Sequence, residues 1–224
     1  MVTICAVIAA YNEASSVGEV VRGTAPHAST VVVIDDGSTD QTAARAREAG
    51  AVVIQHERNL GKGCALRTGV QYALSQQCSH VLFLDADLQH DPAEIASLVR
   101  QAEQGVGDFV IGERELKKNA MPAARFYSNV IGSRILSGFI GTSVADSQSG
   151  FRLVRSALLR RLDLTSTGYE IETEMLIKLV RAGASLERVS VQRLQYQGAR
   201  SKIRPFRDTF RTCMLALWYR YLSD

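Results

Sequence analysis

The sequence predicts an α/β fold: one domain built on a mainly parallel central sheet, with an amphipathic C-terminal helix. Three observations carry this. Short β-branched runs alternate with helix-spaced segments through the N-terminal half, the pattern of βαβ units. Runs such as Val31-Val32-Val33-Ile34 and Val81-Leu82-Phe83-Leu84 lack polar alternation, as strands covered on both faces do. A chain of 224 residues is long enough to bury a sizeable core and short enough for one domain.

Taken in order, apolar runs predict strands over residues 3–9, 30–34, 51–55 and 80–84, each followed by helical spacing over 14–24, 41–49, 63–75 and 92–104. A further strand is expected over 108–111. The segment Glu113 to Asn119 is charged and reads as a loop. Helical spacing resumes over 123–140 and 168–182, and a strand follows over 185–191. The division expected is a main domain over 1–204 and a helical tail over 205–224, with Phe206, Phe210, Met214, Trp218 and Tyr221 on one stripe and Arg204, Arg207 and Arg211 nearby. That stripe suits an anionic membrane surface, and equally the domain itself or a second copy of the chain in a homo-oligomer.

A formal charge of +3 and a pI near 8.7 are too mild to imply a nucleic-acid partner. Cys5, Cys64, Cys78 and Cys213 have neither CxxC spacing nor a histidine at zinc-ligand distance, so neither a zinc site nor a disulfide framework is expected. The opening MVTICAVIAA lacks a basic n-region and reads as a buried strand. No apolar stretch reaches the roughly 18 residues that span a bilayer. The expected location is therefore cytoplasmic, peripheral at the membrane face.

Each strand end carries a polar cluster: Tyr11-Asn12-Glu13, Asp35-Asp36-Gly37-Ser38 and Asp85-Ala86-Asp87. In an open α/β sheet, ligands bind outside the carboxyl ends of the strands, so these clusters are expected to converge. Two carboxylates one residue apart at a strand end suit a hard divalent cation, Mg²⁺ or Mn²⁺, whose other positions go to diphosphate oxygens and water. The same turn also caps a helix, with Asp91 as the cap. Ser38, Thr39 or Asp40 can cap the second helix, and Asp40 and Thr42 read as structural residues of its first turn. Lys62 between two glycines reads as a close-packed helix start, since the full phosphate-loop pattern is missing.

Together, Ala9-Ala10-Tyr11-Asn12-Glu13, the DDGSTDQT stretch, Asn59-Leu60-Gly61-Lys62-Gly63 and DADLQH resemble glycosyltransferase family 2. Ser147-Gln148-Ser149-Gly150-Phe151-Arg152, Gly168-Tyr169-Glu170-Ile171-Glu172-Thr173-Glu174 and Ser201-Lys202-Ile203 narrow the resemblance to the dolichol- or polyprenyl-phosphate mannosyltransferase branch. The resemblance implies a single GT-A (Rossmann-like) domain and inverting, metal-dependent transfer of a sugar from a nucleotide-sugar donor, GDP-mannose foremost, to a polyprenyl or dolichyl phosphate. A UDP-glucose donor, a non-lipid acceptor, or a non-catalytic nucleotide-sugar-binding module are the competing readings.

By motif position, the resemblance implies a donor pocket of Ala9, Tyr11, Glu13, Ile34, Asp36, Asp85 and Ala86, with Arg200 and Lys202 on a closing loop. It implies metal ligands Asp87 and Gln89, and an acceptor-phosphate site of Arg114, Arg125 and Ser128. Asp87, Arg114 and Arg125 are expected to carry the chemistry. The family usually has proline where this chain has Ala9. A phosphate acceptor needs no general base, so Glu172 is read as a metal-side or arginine-orienting group and Glu170 and Glu174 as structural. His90 is read as a neighbour of the metal ligands, and His27, His56 and His80 as ordinary loop or strand-end residues.

Overall fold

The computed structural model describes residues 2–105, 107–114, 123–192, 211, 214, 215, 218 and 219; for residues 123–125, 127 and 128 it describes the backbone alone. The elements run β1 (Ile4–Ala10), α1 (Val17–Thr24), β2 (Thr30–Asp35), α2 (Thr42–Glu48), β3 (Val52–Gln55), α3 (Lys62–Ser75), β4 (His80–Asp85), α4 (Ile95–Glu103), β5 (Phe109–Arg114), α5 (Ala123–Ile140), β6 (Arg152–Arg155), α6 (Ser156–Leu159), α7 (Ile171–Arg181) and β7 (Leu186–Val191). The strands form a seven-stranded sheet in the order β3-β2-β1-β4-β6-β5-β7.

The expected parallel βαβ frame is present from β1 to β4. Alternate residues of each strand feed opposite layers, because successive side chains point to opposite faces. Val7, Val32, Ile34, Val81 and Phe83 pack with α3, α5 and α7, whereas Ala6, Ile8, Val31, Val33, Leu82 and Leu84 pack with α1, α2 and α4. Helix α3 lies close over β1: a Cβ at Gly69 would fall 2.2 Å from Val7 Cγ1.

Two features depart from the sequence reading. Strand β6 is antiparallel to both of its neighbours, β4 and β5. Its four residues, RLVR, offer only two apolar positions and no periodicity to read. Strand β5 runs on through Glu113 and Arg114, which the charge pattern assigned to a loop. Pairing of Glu113 with Ser190 and of Arg114 with Val191 extends the ladder past the apolar run.

Candidate functional site

Register brings the strand ends into one row. Ala9 lies opposite Ile34 on one side and Asp85 on the other. The loops that leave these strands are then tied together. Asn12 takes a left-handed backbone, with φ 51°, and its N–H donates to Ser38 Oγ at 2.8 Å while its side-chain oxygen accepts from Thr39 N at 2.9 Å. Glu13 N donates to Thr42 Oγ1 at 2.8 Å, and Ala14 N to Asp40 Oδ2 at 3.2 Å. Asp40 also accepts from Thr42 N at 2.9 Å, so both serve the start of the second helix. Tyr11 and Glu13 are thus carried on a loop fixed by the DDGSTD segment.

Asp36 is more deeply engaged than expected. Its Oδ1 accepts from Leu60 N at 3.0 Å and lies 2.7 Å from His56 Nδ1, and its Oδ2 accepts from Gly61 N at 2.8 Å. His56 Nε2 lies 3.0 Å from Thr68 Oγ1 on α3. The reading of His56 as an ordinary loop residue is corrected: it joins Asp36 to α3, and Asp36 in turn organises the Asn59–Gly63 turn. Gly61 adopts φ 99°, and a Cβ there would meet Thr167 O at 2.4 Å; one on Gly63 would meet Ser166 O at 2.3 Å. The glycines let the start of α3 press against the segment before α7, the close packing the sequence suggested.

That packing delivers Lys62 into the site. Its Nζ lies 2.6 Å from Asp85 Oδ1 and 2.6 Å from Glu172 Oε1, and 5.7 Å from the centroid of the Tyr169 ring. Burial opposes the lysine charge, but Asp85 and Glu172 outweigh it and hold the ammonium above its ordinary range. Burial likewise opposes the Asp85 charge, and Lys62 with Arg114 overrides it, keeping this carboxyl below the usual carboxylate range. Gly150 lies close by, since a Cβ on it would come within 2.8 Å of Asp85 Oδ2. The Glu172 carboxylate goes to Lys62, and its backbone carbonyl accepts from Arg152 Nη1 at 2.5 Å.

Asp87 behaves differently from Asp85. Burial, reinforced by the Asp85 charge, pushes its carboxyl above the usual range. Leu88 turns the chain through φ 58°, so Gln89 N donates back to Asp87 Oδ1 at 3.1 Å and the Gln89 side-chain amide faces Asp87 Oδ2. These two side chains fit a hard cation: a desolvated carboxylate short of positive charge beside an amide whose oxygen can turn toward a metal. Among the described residues no group of three or more His, Cys, Asp or Glu is arranged to hold a metal ion. A cation here would draw its remaining ligands from a diphosphate and water. His90 is buried with its ring 5.2 Å from that of Phe151, and neither ring nitrogen has a hydrogen-bond partner among the described residues. Burial, reinforced by Arg114, pushes it down to about 4, so the ring is neutral at pH 7.

At the end of β5, Arg114 meets a carboxylate the sequence reading did not single out. Its Nε donates to Asp146 Oδ2 at 2.6 Å and its Nη2 to Asp146 Oδ1 at 3.1 Å, and Asn129 Nδ2 donates to the same Oδ1 at 3.2 Å. The next loop is held by Arg152, buried to 2 % exposure, which donates to Ser149 O at 2.7 Å and Ser147 O at 2.8 Å. Burial lowers its pKa to about 10, still charged at pH 7. The signal for Asp146 was its position as the one carboxylate just before the Ser147–Arg152 motif.

Residues 5–163 match the family model described as Glycosyl transferase family 2. The chain belongs to this family. It is 28% identical over 214 residues to an undecaprenyl-phosphate mannosyltransferase of Micrococcus luteus, covering 89% of this chain and 87% of that one. It is 30% identical to a UDP-N-acetylglucosamine–dolichyl-phosphate N-acetylglucosaminyltransferase of Methanococcus voltae, covering 76% and 77%. The structure of Mycobacterium tuberculosis glucosyl-3-phosphoglycerate synthase with Mn²⁺, UDP-glucose and phosphoglyceric acid superposes with a TM-score of 0.78 at 23% identity, over 97% of this chain and 79% of that one. That likeness gives the fold: GT-A.

In this family 2 glycosyltransferase, then, Ala9, Ile34, Asp36, Asp85, Ala86, Asp87 and Gln89 gather at the ends of β1, β2 and β4, with Tyr11 and Glu13 on the adjoining loop. Arg114 ends β5 on the other side of β6. Arg125 and Ser128 lie on α5, where only their backbone is described, and Arg200 and Lys202 fall outside the described residues. Glu174 is structural, as expected, accepting from Thr165 N at 2.9 Å and Ser166 N at 2.8 Å. Of the C-terminal stripe, Met214 and Trp218 are exposed, while Leu215 and Tyr219 pack inward and Tyr219 OH donates to Glu174 Oε1 at 3.3 Å. Phe206, Phe210 and Tyr221 fall outside the described residues. Among the described residues, no helix is long and apolar enough to cross a membrane.

Proposed function

We propose that this enzyme transfers a sugar, mannose from GDP-mannose foremost, to a polyprenyl- or dolichyl-type lipid phosphate, with inversion at the anomeric carbon. The observation that carries the reading is the way the site's carboxylates are engaged. Asp85 and Glu172 are bound to Lys62, and Asp146 to Arg114. Asp87, its carboxyl held above the usual range by burial and the Asp85 charge, is suited to a cation. A hydroxyl acceptor must surrender a proton to a base, whereas a phosphate oxygen is already an anion. The relatives named as polyprenyl- and dolichyl-phosphate transferases support the same acceptor.

On this reading Ala9, Tyr11, Glu13, Ile34, Asp36, Asp85 and Ala86 line the donor pocket, Asp87 and Gln89 hold Mg²⁺ or Mn²⁺, and Arg200 and Lys202 close over the diphosphate. When bound, the metal neutralises charge developing on the leaving nucleotide diphosphate. Arg114 keeps donors beyond the two spent on Asp146, and with Arg125 and Ser128 it orients the acceptor phosphate for in-line attack. Exposed Met214 and Trp218 provide peripheral membrane contact at the cytoplasmic face, where the lipid is reached.

The test is a donor screen with purified protein, Mn²⁺ and a short polyprenyl phosphate, following the glycosylated lipid by mass spectrometry. Transfer from GDP-mannose is expected. The named donors of the Methanococcus voltae relative and of the Mycobacterium tuberculosis complex make UDP sugars the second reading. Transfer from a UDP sugar alone would move the donor assignment, and transfer only to soluble acceptors would remove the lipid. Donor binding with no turnover on any acceptor would leave a binding module.

A further inference from the structure

We propose that Lys62 is a positioning residue of the transfer site: the built-in cation that neutralises Asp85 and anchors it to Glu172, leaving Asp87 and Gln89 as the pair that takes the divalent ion. This rests on the donor and metal reading above. One ammonium lies 2.6 Å from a carboxylate at the end of β4 and 2.6 Å from a carboxylate in the first turn of α7. The side chain is 15% exposed, so the contact is enclosed and little screened.

Both ends of the bridge are fixed. Gly63 N donates to Thr167 O at 2.9 Å, which sets the start of α3 against the approach to α7. Arg152 holds the Glu172 carbonyl and, through Ser147 O and Ser149 O, the loop whose Gly150 abuts Asp85. The chemical need follows from charge. Asp85, Asp87 and Glu172 together would repel an incoming diphosphate, and a divalent ion bound by Asp87 offsets only part of that charge. A lysine on Asp85 and Glu172 reduces that pair to a single net negative charge and leaves Asp85 a fixed acceptor for donor hydroxyls.

The experiment compares wild type, K62M, K62R and E172Q in Mn²⁺ titrations followed by electron paramagnetic resonance with a nucleotide diphosphate present, alongside kcat and donor KM at saturating metal. In K62M the unneutralised Asp85 and Glu172 should draw Mn²⁺ about tenfold more tightly. Its kcat should fall about 100-fold, the scale of a misplaced catalytic group. K62R should recover about tenfold of that kcat and return Mn²⁺ affinity toward wild type. Wild-type kcat and Mn²⁺ affinity in K62M overturn the proposal, as does a kcat loss with unchanged Mn²⁺ affinity and no recovery in K62R. Should K62M fail to fold, E172Q carries the test: kcat about tenfold lower supports the bridge, and wild-type kcat overturns it. Absence of Mn²⁺ binding by wild type would instead remove the metal reading, and this proposal with it.

Discussion

The Arg114 guanidinium lies side-on against the Asp146 carboxylate, Nε to Oδ2 at 2.6 Å and Nη2 to Oδ1 at 3.1 Å, with Asp146 fully buried. Forked pairing of this kind fixes the plane of the arginine as well as its charge. Asp146→Asn would remove the carboxylate with which the enclosed arginine is paired. It should cost about 3 kcal/mol in urea unfolding and raise acceptor KM more than donor KM. A double substitution R114M/D146L should regain much of that stability and none of the activity. Equal effects on the two KM values would detach Arg114 from the acceptor.

Asp87 sits half-buried beside Asp85 with its pKa raised, so ionisation costs free energy unless a cation is present. Asp87→Asn should abolish Mn²⁺ binding and turnover while leaving the melting temperature of the metal-free protein within about 3 °C of wild type or above it. Chelation of wild type should remove activity, and Mn²⁺ or Mg²⁺ should restore it. Full activity after exhaustive chelation would end the metal assignment.

His56 joins Asp36 to Thr68, and Asp36 in turn accepts the Leu60 and Gly61 amides. His56→Ala removes two hydrogen bonds and should cost about 1–3 kcal/mol by denaturant titration. With Asp36 and its turn loosened, donor KM should rise several-fold with a smaller change in kcat. An unchanged donor KM would confine His56 to stability.

Glu174 reports on acid stability. Burial opposes its charge, yet Lys178 and the Ser166 and Thr165 amides outweigh burial and bring its pKa down to about 2 from an ordinary 4.5. Between these values the unfolded chain binds the proton that the native protein refuses, so stability rises with pH there. The contribution is complete above pH 4.5 and is lost as pH falls toward 2. Glu174→Gln should lower stability by about 2 kcal/mol at pH 7 and flatten its acid dependence. Parallel pH profiles for the variant and wild type would contradict the assignment.

Met214 and Trp218 face outward while Leu215 and Tyr219 pack inward. M214S/W218S should therefore weaken flotation with anionic liposomes severalfold without lowering the melting temperature. Unchanged flotation would place membrane contact elsewhere.

The layered sheet was legible because buried parallel strands repeat the same apolar run, as β1, β2 and β4 do. The clusters after those strands were legible for the same reason: a strand end is a fixed place in an α/β sheet. His56 and Asp146 were not, nor was Arg152's hold on Glu172, because these partners lie far along the chain. Arg114 and Asp146 stand 32 positions apart, and Arg152 and Glu172 stand 20 apart. Strand β6 has no pattern of its own and exists by pairing with β4 and β5.

The sequence by itself determined the α/β class, the polar clusters at the strand ends, and the family's motifs, since these depend on local periodicity and spacing. Only the tertiary structure decided how the carboxylates divide their work. Lys62 goes to Asp85 and Glu172, Arg114 goes to Asp146, and the Asp87 carboxyl is held above the usual range by burial and the Asp85 charge. Charge pairing depends on distances across the fold, and those are set by packing rather than by position in the chain.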